Sequence, residues 1–419
     1  MRRVSARAPT NANAFWVATA DQLVYTAGNV LLTLAWAGIY DTSEFGLLAL
    51  ATTIGLVVGV SSRAYWCDPL AVAGSHPQTR TLTIVCSAMP ASFAAAGGFT
   101  LALWPVITDG WRLRIAPPAV ALAVSLAAFE VLRGAGLAVR RYRDTLMIDL
   151  MWLAIAAGGV ATVWILDLDL LWGFVASTAP SVGTLLLWKC REAKIDGLVT
   201  PSWPRERVRQ GLHYALDFWL LNGMLQATVV AVGLASGSAE LGKFRLAVTV
   251  LGPIGVSVRF VQVSLLPMIA ERIRTGRTSP RKVGLLAASG LGLMSFCYLA
   301  ALLLVIQVRP HVLAIEAKIV AVLGVAKALE SISAGAMVAL KAAAVLVRAT
   351  MLNAITAALT VLLMLVLRSR LSALNASWMS VAVAVVGLLM WAGAVLTVSS
   401  DKQSRDGRAL PASKRLESG

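Results

Sequence analysis

The stretch EFGLLALATTIGLVVGVSSRAYW, residues Glu44–Trp66, decides the fold. Between Glu44 and Arg63 it carries neither charge nor proline, and its apolar residues run on without strand-like alternation. A run of about 20 apolar residues crosses the hydrocarbon core of a bilayer as a helix. Within lipid only a helix or a closed barrel satisfies every backbone N–H and C=O, and a continuous run selects the helix. Runs of this kind recur along the whole chain. Only 14% of the residues are charged, against roughly 25% in soluble domains. The mean hydropathy is +0.76, and the charges fall in short clusters between the runs. The pattern predicts an all-α polytopic membrane protein of about twelve spans.

Runs bounded by charge, Gly or Pro place six spans in a first half: Phe15–Tyr40, Glu44–Trp66, Thr81–Trp104, Pro118–Val139, Thr145–Leu166 and Leu170–Trp188. A second half holds Leu212–Ala235, Leu241–Pro267, Val283–Val308, Ile319–Leu340, Ala349–Leu367 and Ala376–Val398. The expected organisation is an N-terminal segment 1–14, an N-lobe 15–188, a linker 189–211, a C-lobe 212–398 and a polar tail 399–419 that reads as disordered. Met1–Arg7 is basic and precedes an apolar stretch, as in a signal peptide. That stretch is long and lacks a small-residue cleavage site, so it is read as an uncleaved first span. Lys and Arg concentrate in alternate connections, including the linker and Arg140-Arg141-Tyr142-Arg143, while Asp167-Leu168-Asp169 faces the other way. The positive-inside rule then puts both termini in the cytoplasm and the protein in the cytoplasmic membrane. Trp16, Trp36, Trp66, Trp104 and Trp188 stand at span ends, the positions of interfacial belts.

An internal repeat orders these spans. A shift of 196 positions superposes Asp21 on Asp217, Glu44 on Glu240, Gly46 on Gly242, Gly59 on Gly255 and Arg63 on Arg259. A shift of 200 superposes Glu130 on Glu330 and Arg141 on Lys341. Charges are rare here, so their coincidence without gaps indicates a true repeat. Six spans per half make the halves enter the membrane from the same side. They are expected to form two six-helix lobes related by a pseudo-two-fold axis along the membrane normal.

The first helix with a polar face, the turn after it, and Glu44-Phe45-Gly46-Leu47-Leu48-Ala49-Leu50 resemble the start of the multidrug/oligosaccharidyl-lipid/polysaccharide (MOP) flippase superfamily. The likeness is to its polysaccharide-exporter branch, is sharpest over residues 15–75 and is echoed over 212–270. It implies twelve helices in two lobes and alternating access of a cavity between them. The implied substrate is a polyprenyl-diphosphate-linked oligosaccharide. The implied partners are membrane lipids, a coupling proton or sodium ion, and the polysaccharide assembly machinery. Related lipid II flippases place cationic residues of the cavity on the second and eighth helices, where Arg63 and Arg259 fall. The cavity helices nevertheless carry few charges for a diphosphate site.

A charge at bilayer depth costs about 2.5–3.5 kcal/mol on insertion scales, so each needs a partner, a cavity or an interface. Asp21 and Arg63 are expected at one depth near the inner mouth, and Asp217 and Arg259 repeat them. The expectation is an Asp–Arg pair between the first two helices of each lobe. Arg63 and Arg259 then either meet a substrate diphosphate or serve as structural or snorkelling groups, and the structural reading is preferred. Glu130 and Arg133 share a helix face at i, i+3, as do Lys327 and Glu330. Each pair either neutralises itself or couples transport to a cation, and neutralisation is preferred. Asp149 is expected to pair with the Arg140–Arg143 cluster. Asn29, Asn222 and Gln226 read as interhelical hydrogen-bonding groups, with substrate contact as the alternative, and Asn29 and Gln226 are the substrate-binding candidates. Gly55, Gly59, Pro180, Pro253 and Gly255 permit close approach or kinks.

Other functions fit less well. The net charge of +16 sits in loops, with no basic helical face for nucleic acid. Cys67, Cys86, Cys190 and Cys297 lack metal or redox spacing, and His76, His213 and His311 are scattered, so no metal or cofactor is expected. A polysaccharide polymerase or ligase would need a substantial outer loop. The connection Pro105–Pro117 offers only Asp109, Arg112 and Arg114. The sequence reads as a flippase without covalent chemistry, and a cation-coupled drug or metabolite antiporter of the same superfamily is the rival.

Overall fold

The computed structural model describes residues 12–67, 80–107, 114–138, 141–191, 211–260 apart from His213 and Asp217, 273, 275, 277–308, 316–342 and 346–397. The first half contributes α1 (Ala12–Ile39), α2 (Thr42–Trp66), α3 (Arg80–Ile107), α4 (Ala116–Ala138), α5 (Tyr142–Ile165) and α6 (Leu170–Arg191). In the second half a π-helical turn, Trp219–Gly223, leads into a helical stretch, Met224–Val250. Gly237 breaks that stretch at φ 86°, ψ 177°, a conformation L side chains avoid. The part before Gly237 is α7. The part after it is α8, which is interrupted at Leu251 and continues as Gly252–Phe260. Pro253 explains that interruption, because it has no N–H to donate to Thr249. The chain ends in α9 (Pro280–Val308), α10 (Ala317–Ala342), α11 (Leu346–Leu367) and α12 (Ala373–Thr397).

Ten helices among the described residues are long and apolar enough to cross a membrane. That set counts α7 and α8 as one span and leaves out α3. The fold is therefore the expected all-α polytopic one. Residues 1–11, most of the linker (192–210) and the tail (398–419) lie outside the described residues.

Local sequence sets the turns. Asp41 caps α2 by accepting the Glu44 N–H at 2.7 Å, and Glu44 adds a negative charge to that helix's first turn. At the same end of the first lobe the Tyr40 hydroxyl donates to the Asp169 carbonyl at 3.0 Å, tying α1 to the α5–α6 turn. Trp36 stacks on Tyr40 at 5.8 Å, and Trp104 meets Phe174 edge-on at 5.9 Å. Trp36, Trp104 and Trp188 are buried, so they build the lobe's core and not the interfacial belt expected of them. Their rings are large enough to fill the gaps between diverging helix ends.

The lobes repeat each other's packing. In the first, α4 packs on α2, α3 and α6, while α5 packs on α1 and α6. In the second, α10 packs on α8, α9 and α12, while α11 packs on α7 and α12. The lobes meet chiefly where α2 crosses α8, and the crossing lies on Gly46 and Gly242. A Cβ on Gly46 would overlap the Ser238 carbonyl, and one on Gly242 would overlap the Thr42 carbonyl. Ser43 and Ser238 join their hydroxyls across the same seam at 2.7 Å. Gly46 and Gly242, mates in the repeat, thus touch each other, which places the pseudo-two-fold axis at this contact.

Candidate functional site: a cavity at the lobe boundary beside a buried charge cluster

Below the seam, α1, α2, α4, α5 and α6 line a half-open cleft whose empty space, bulk solvent at its mouth included, is about 600 Å³. Its walls include Trp36, Phe45, Trp152 and Leu126, with Asn29, Thr33, Thr52 and Ser177 supplying polar groups. One residue reaches it from the other lobe: Arg245 of α8. Arg245 stands three residues past Gly242, one turn along the same helix face, so the close crossing aims its side chain at the first lobe. It is 8% exposed, and its Nη1 donates to Gln226 Oε1 at 3.0 Å. Among the described residues no carboxylate pairs with it.

Beyond the cavity wall the first lobe holds a cluster of ionisable groups. Arg133 of α4 donates through Nη2 to Asp21 of α1 at 2.8 Å and through Nε to Asp149 of α5 at 2.9 Å. The side chains of Arg133 and both carboxylates are 0% exposed. The Arg133 guanidinium also lies 4.0 Å over the Tyr25 ring, a cation–π contact. The Tyr25 hydroxyl donates to Glu130 Oε1, and Glu130 Oε2 pairs with Arg63 at 3.4 Å. Arg63, 19% exposed, is the accessible end of this chain of contacts.

Several expected pairings are corrected by this geometry. Asp21 pairs with Arg133 of α4 and not with Arg63. The two residues do share a depth. Their partners Glu130 and Arg133 are three residues apart, about 4.5 Å along α4. Glu130 and Arg133 do not neutralise one another, since each finds a partner on a neighbouring helix. Asp149 joins Arg133 and not the Arg140–Arg143 cluster, where Arg141 pairs instead with Asp144 at 2.6 Å. Lys327 and Glu330 do pair within α10, at 2.5 Å, on a face that leaves Glu330 45% exposed. Asn29 donates to the Tyr25 carbonyl within α1 at 2.8 Å and lines the cavity, whereas Gln226 links α7 to α8. Asp217 lies outside the described residues, as does the side chain of Arg259.

Arg245 and Tyr25 were not singled out from the sequence, yet both left a signal. Position 245 falls on Ala49 in the 196-residue register, so the repeat changes charge there. Asp21, Tyr25, Asn29 and Thr33 follow at i, i+4 spacing, a polar stripe down an otherwise apolar helix.

No family model and no curated protein matches this sequence. Solved structures do match its fold. The lipid II flippase MurJ, in an inward closed conformation, superposes with a TM-score of 0.69 at 9% identity, over 94% of this chain and 90% of that one. A MATE protein in complex with MaL6 gives 0.54 at 14% identity, over 93% and 97% of the two chains. A MOP superfamily transporter from Pyrococcus furiosus, described as having a binding pocket of reverse polarity that suggests a different function, gives 0.52 at 15% identity, over 91% and 95%. The chain shares the two-lobed fold of these structures.

Proposed function

We propose that the protein is a transporter that carries a polyprenyl-diphosphate-linked oligosaccharide across the cytoplasmic membrane by alternating access, for cell-surface polysaccharide assembly. The observation that carries this reading is Arg245. A guanidinium held in a membrane interior, with no carboxylate partner among the described residues, is costly and marks a functional position. Its planar donors match phosphate oxygens two at a time. The cavity beside it offers aromatic faces and small polar groups, a surface suited to sugars and an isoprenoid stem. The shared fold with a lipid II flippase supports the reading. Both termini are placed in the cytoplasm and no covalent step is involved. The lobes are residues 15–188 and 212–398, joined by the linker 189–211, and they rock about the α2–α8 seam. Arg63, at the exposed end of the charge cluster, and Arg259, its mate in the repeat, are proposed as further phosphate contacts at the inner mouth.

Binding tests this directly. Native mass spectrometry of the purified protein should show undecaprenyl diphosphate bound in preference to undecaprenol. Arg245→Ala should remove that preference. Equal binding of the two lipids by the wild-type protein would overturn the assignment.

A second reading, a cation-coupled antiporter, is favoured by one specific observation. The cluster sets three carboxylates, Asp21, Asp149 and Glu130, against two guanidiniums, Arg133 and Arg63. One negative charge is left over in a buried site, which a proton or sodium ion would balance. Coupling of saccharide export to such an ion joins the two readings. Efflux of a drug-like cation lost in Asp21→Asn, with no diphosphate binding, would favour the antiporter alone.

A further inference from the structure

Arg245 sits on a short helical rod. Gly237, at φ 86°, breaks the chain before it and the interruption at Leu251 breaks it after, so residues 238–250 form a separate piece. The equivalent residues of α2, 42–54, lie within one unbroken helix. A helix continuous with its neighbours inherits its azimuth from them. A piece cut at both ends must be held by its side contacts.

Those contacts lie behind Arg245. Lys243 Nζ reaches Glu240 Oε1 at 2.9 Å, one turn back, and Glu316 Oε1 at 2.8 Å, just before α10. Glu240 Oε2 in turn accepts the N–H of Ala373, the first residue of α12, at 2.9 Å. Ahead of the break, the Ser236 hydroxyl donates to the Leu371 carbonyl at 3.0 Å. At about 100° per residue, Lys243 stands about 160° round the helix from Arg245, and Gly242 about 60°. The seam and Arg245 therefore occupy the front of the rod, and the clasp of Lys243, Glu240 and Glu316 holds its back. Both cations depart from the repeat, since Lys243 falls on Leu47 and Arg245 on Ala49.

We infer that Lys243 is a positioning residue for Arg245. It pins the back of the rod to α10 and, through Glu240, to α12, so that the guanidinium on the front points into the cleft of the other lobe. The clasp side chains are between 26% and 53% exposed, so their ion pairs add little stability. What they supply is orientation. This inference rests on the reading of Arg245 as the phosphate contact.

The experiment takes three readings on Lys243→Met. They are the thermal midpoint, the rate of oxidative cross-linking between Ser43→Cys and Ser238→Cys in a protein otherwise free of cysteine, and the preference for undecaprenyl diphosphate over undecaprenol in native mass spectrometry. The midpoint should stay near that of wild type, while cross-linking slows and the diphosphate preference falls, each about threefold, as expected for exposed ion pairs. Lys243→Arg should restore both, because a guanidinium can still span two carboxylates. In an Arg245→Ala background Lys243→Met should still slow the cross-link but change lipid preference no further. Glu316→Gln cuts only the tie to α10, should act in the same direction, and decides if Lys243→Met does not fold. Lys243→Met with wild-type cross-linking and preference would overturn the inference. So would slowed cross-linking with the preference intact, or Lys243→Arg no better than Lys243→Met. Failures of the two readings look different. Equal binding of both lipids by the wild-type protein defeats the phosphate reading, whereas an unchanged cross-link in Lys243→Met defeats the clasp.

Discussion

Replacing Arg133 by leucine removes the one cation that holds Asp21 and Asp149, and both carboxylates are fully buried. At an effective dielectric of 20, a unit charge pair about 4 Å apart gains roughly 4 kcal/mol. Desolvation of the three groups opposes that gain in the native protein, so the intact triad contributes little net stability. Breaking it is another matter, because the carboxylates stay buried while their counterion is gone. Loss of one partner from a buried pair costs about 3–5 kcal/mol, and here one deletion strands two partners. Arg133→Leu should therefore fall at or above the top of that range and yield little monodisperse protein after detergent extraction. Arg133→Lys should be intermediate, since a point charge cannot span both carboxylates as the planar fork does. The discriminating variant is Arg133→Leu with Asp21→Asn and Asp149→Asn, which removes the charges while keeping volume. Its thermal unfolding midpoint, followed by size-exclusion after heating, should recover most of the loss. An Arg133→Leu protein as stable as wild type would show that the triad is not a buried ion pair, and so would a triple variant no better than the single one.

Gly46→Ala should push α2 from α8. With cysteines at Ser43 and Ser238, whose hydroxyls are 2.7 Å apart, oxidative cross-linking should be efficient in the parent and several-fold weaker with Gly46→Ala. Lys327→Met leaves Glu330 alone at mid-span, at about 2.5–3.5 kcal/mol on insertion scales. Membrane-inserted protein, measured by immunoblot, should drop and then return when Glu330→Gln is added.

The architecture was legible in the sequence because the bilayer imposes it. Apolar runs of spanning length allow one backbone solution, and the 196-residue register foretold that Gly46 and Gly242 are equivalent. That they touch each other could be known only once the axis was located. Depth along a helix was also legible, since rise per residue is fixed, and Asp21 and Arg63 do lie at one level. Azimuth was not. A helix with a long apolar girth gives little signal as to which neighbour each charge faces, so the Arg133 bridge from α4 was missed. For the same reason the i, i+3 rule held for Lys327 and Glu330 on an open face but failed for Glu130 and Arg133. Those two are ringed by other helices that offer better partners. Arg245 was hidden in a run otherwise read as a span, and the repeat exposes it only when mismatches are inspected as closely as matches.

The proposed transport requires an anionic lipid headgroup to move past Arg245. The most direct measurement follows a fluorescent polyprenyl-diphosphate oligosaccharide in proteoliposomes, with a membrane-impermeant quencher reporting the leaflet. Wild-type vesicles should move the lipid well above protein-free ones, and Arg245→Ala should fall to that background while folding normally. Wild-type vesicles indistinguishable from protein-free ones, or Arg245→Ala equal to wild type, would contradict it.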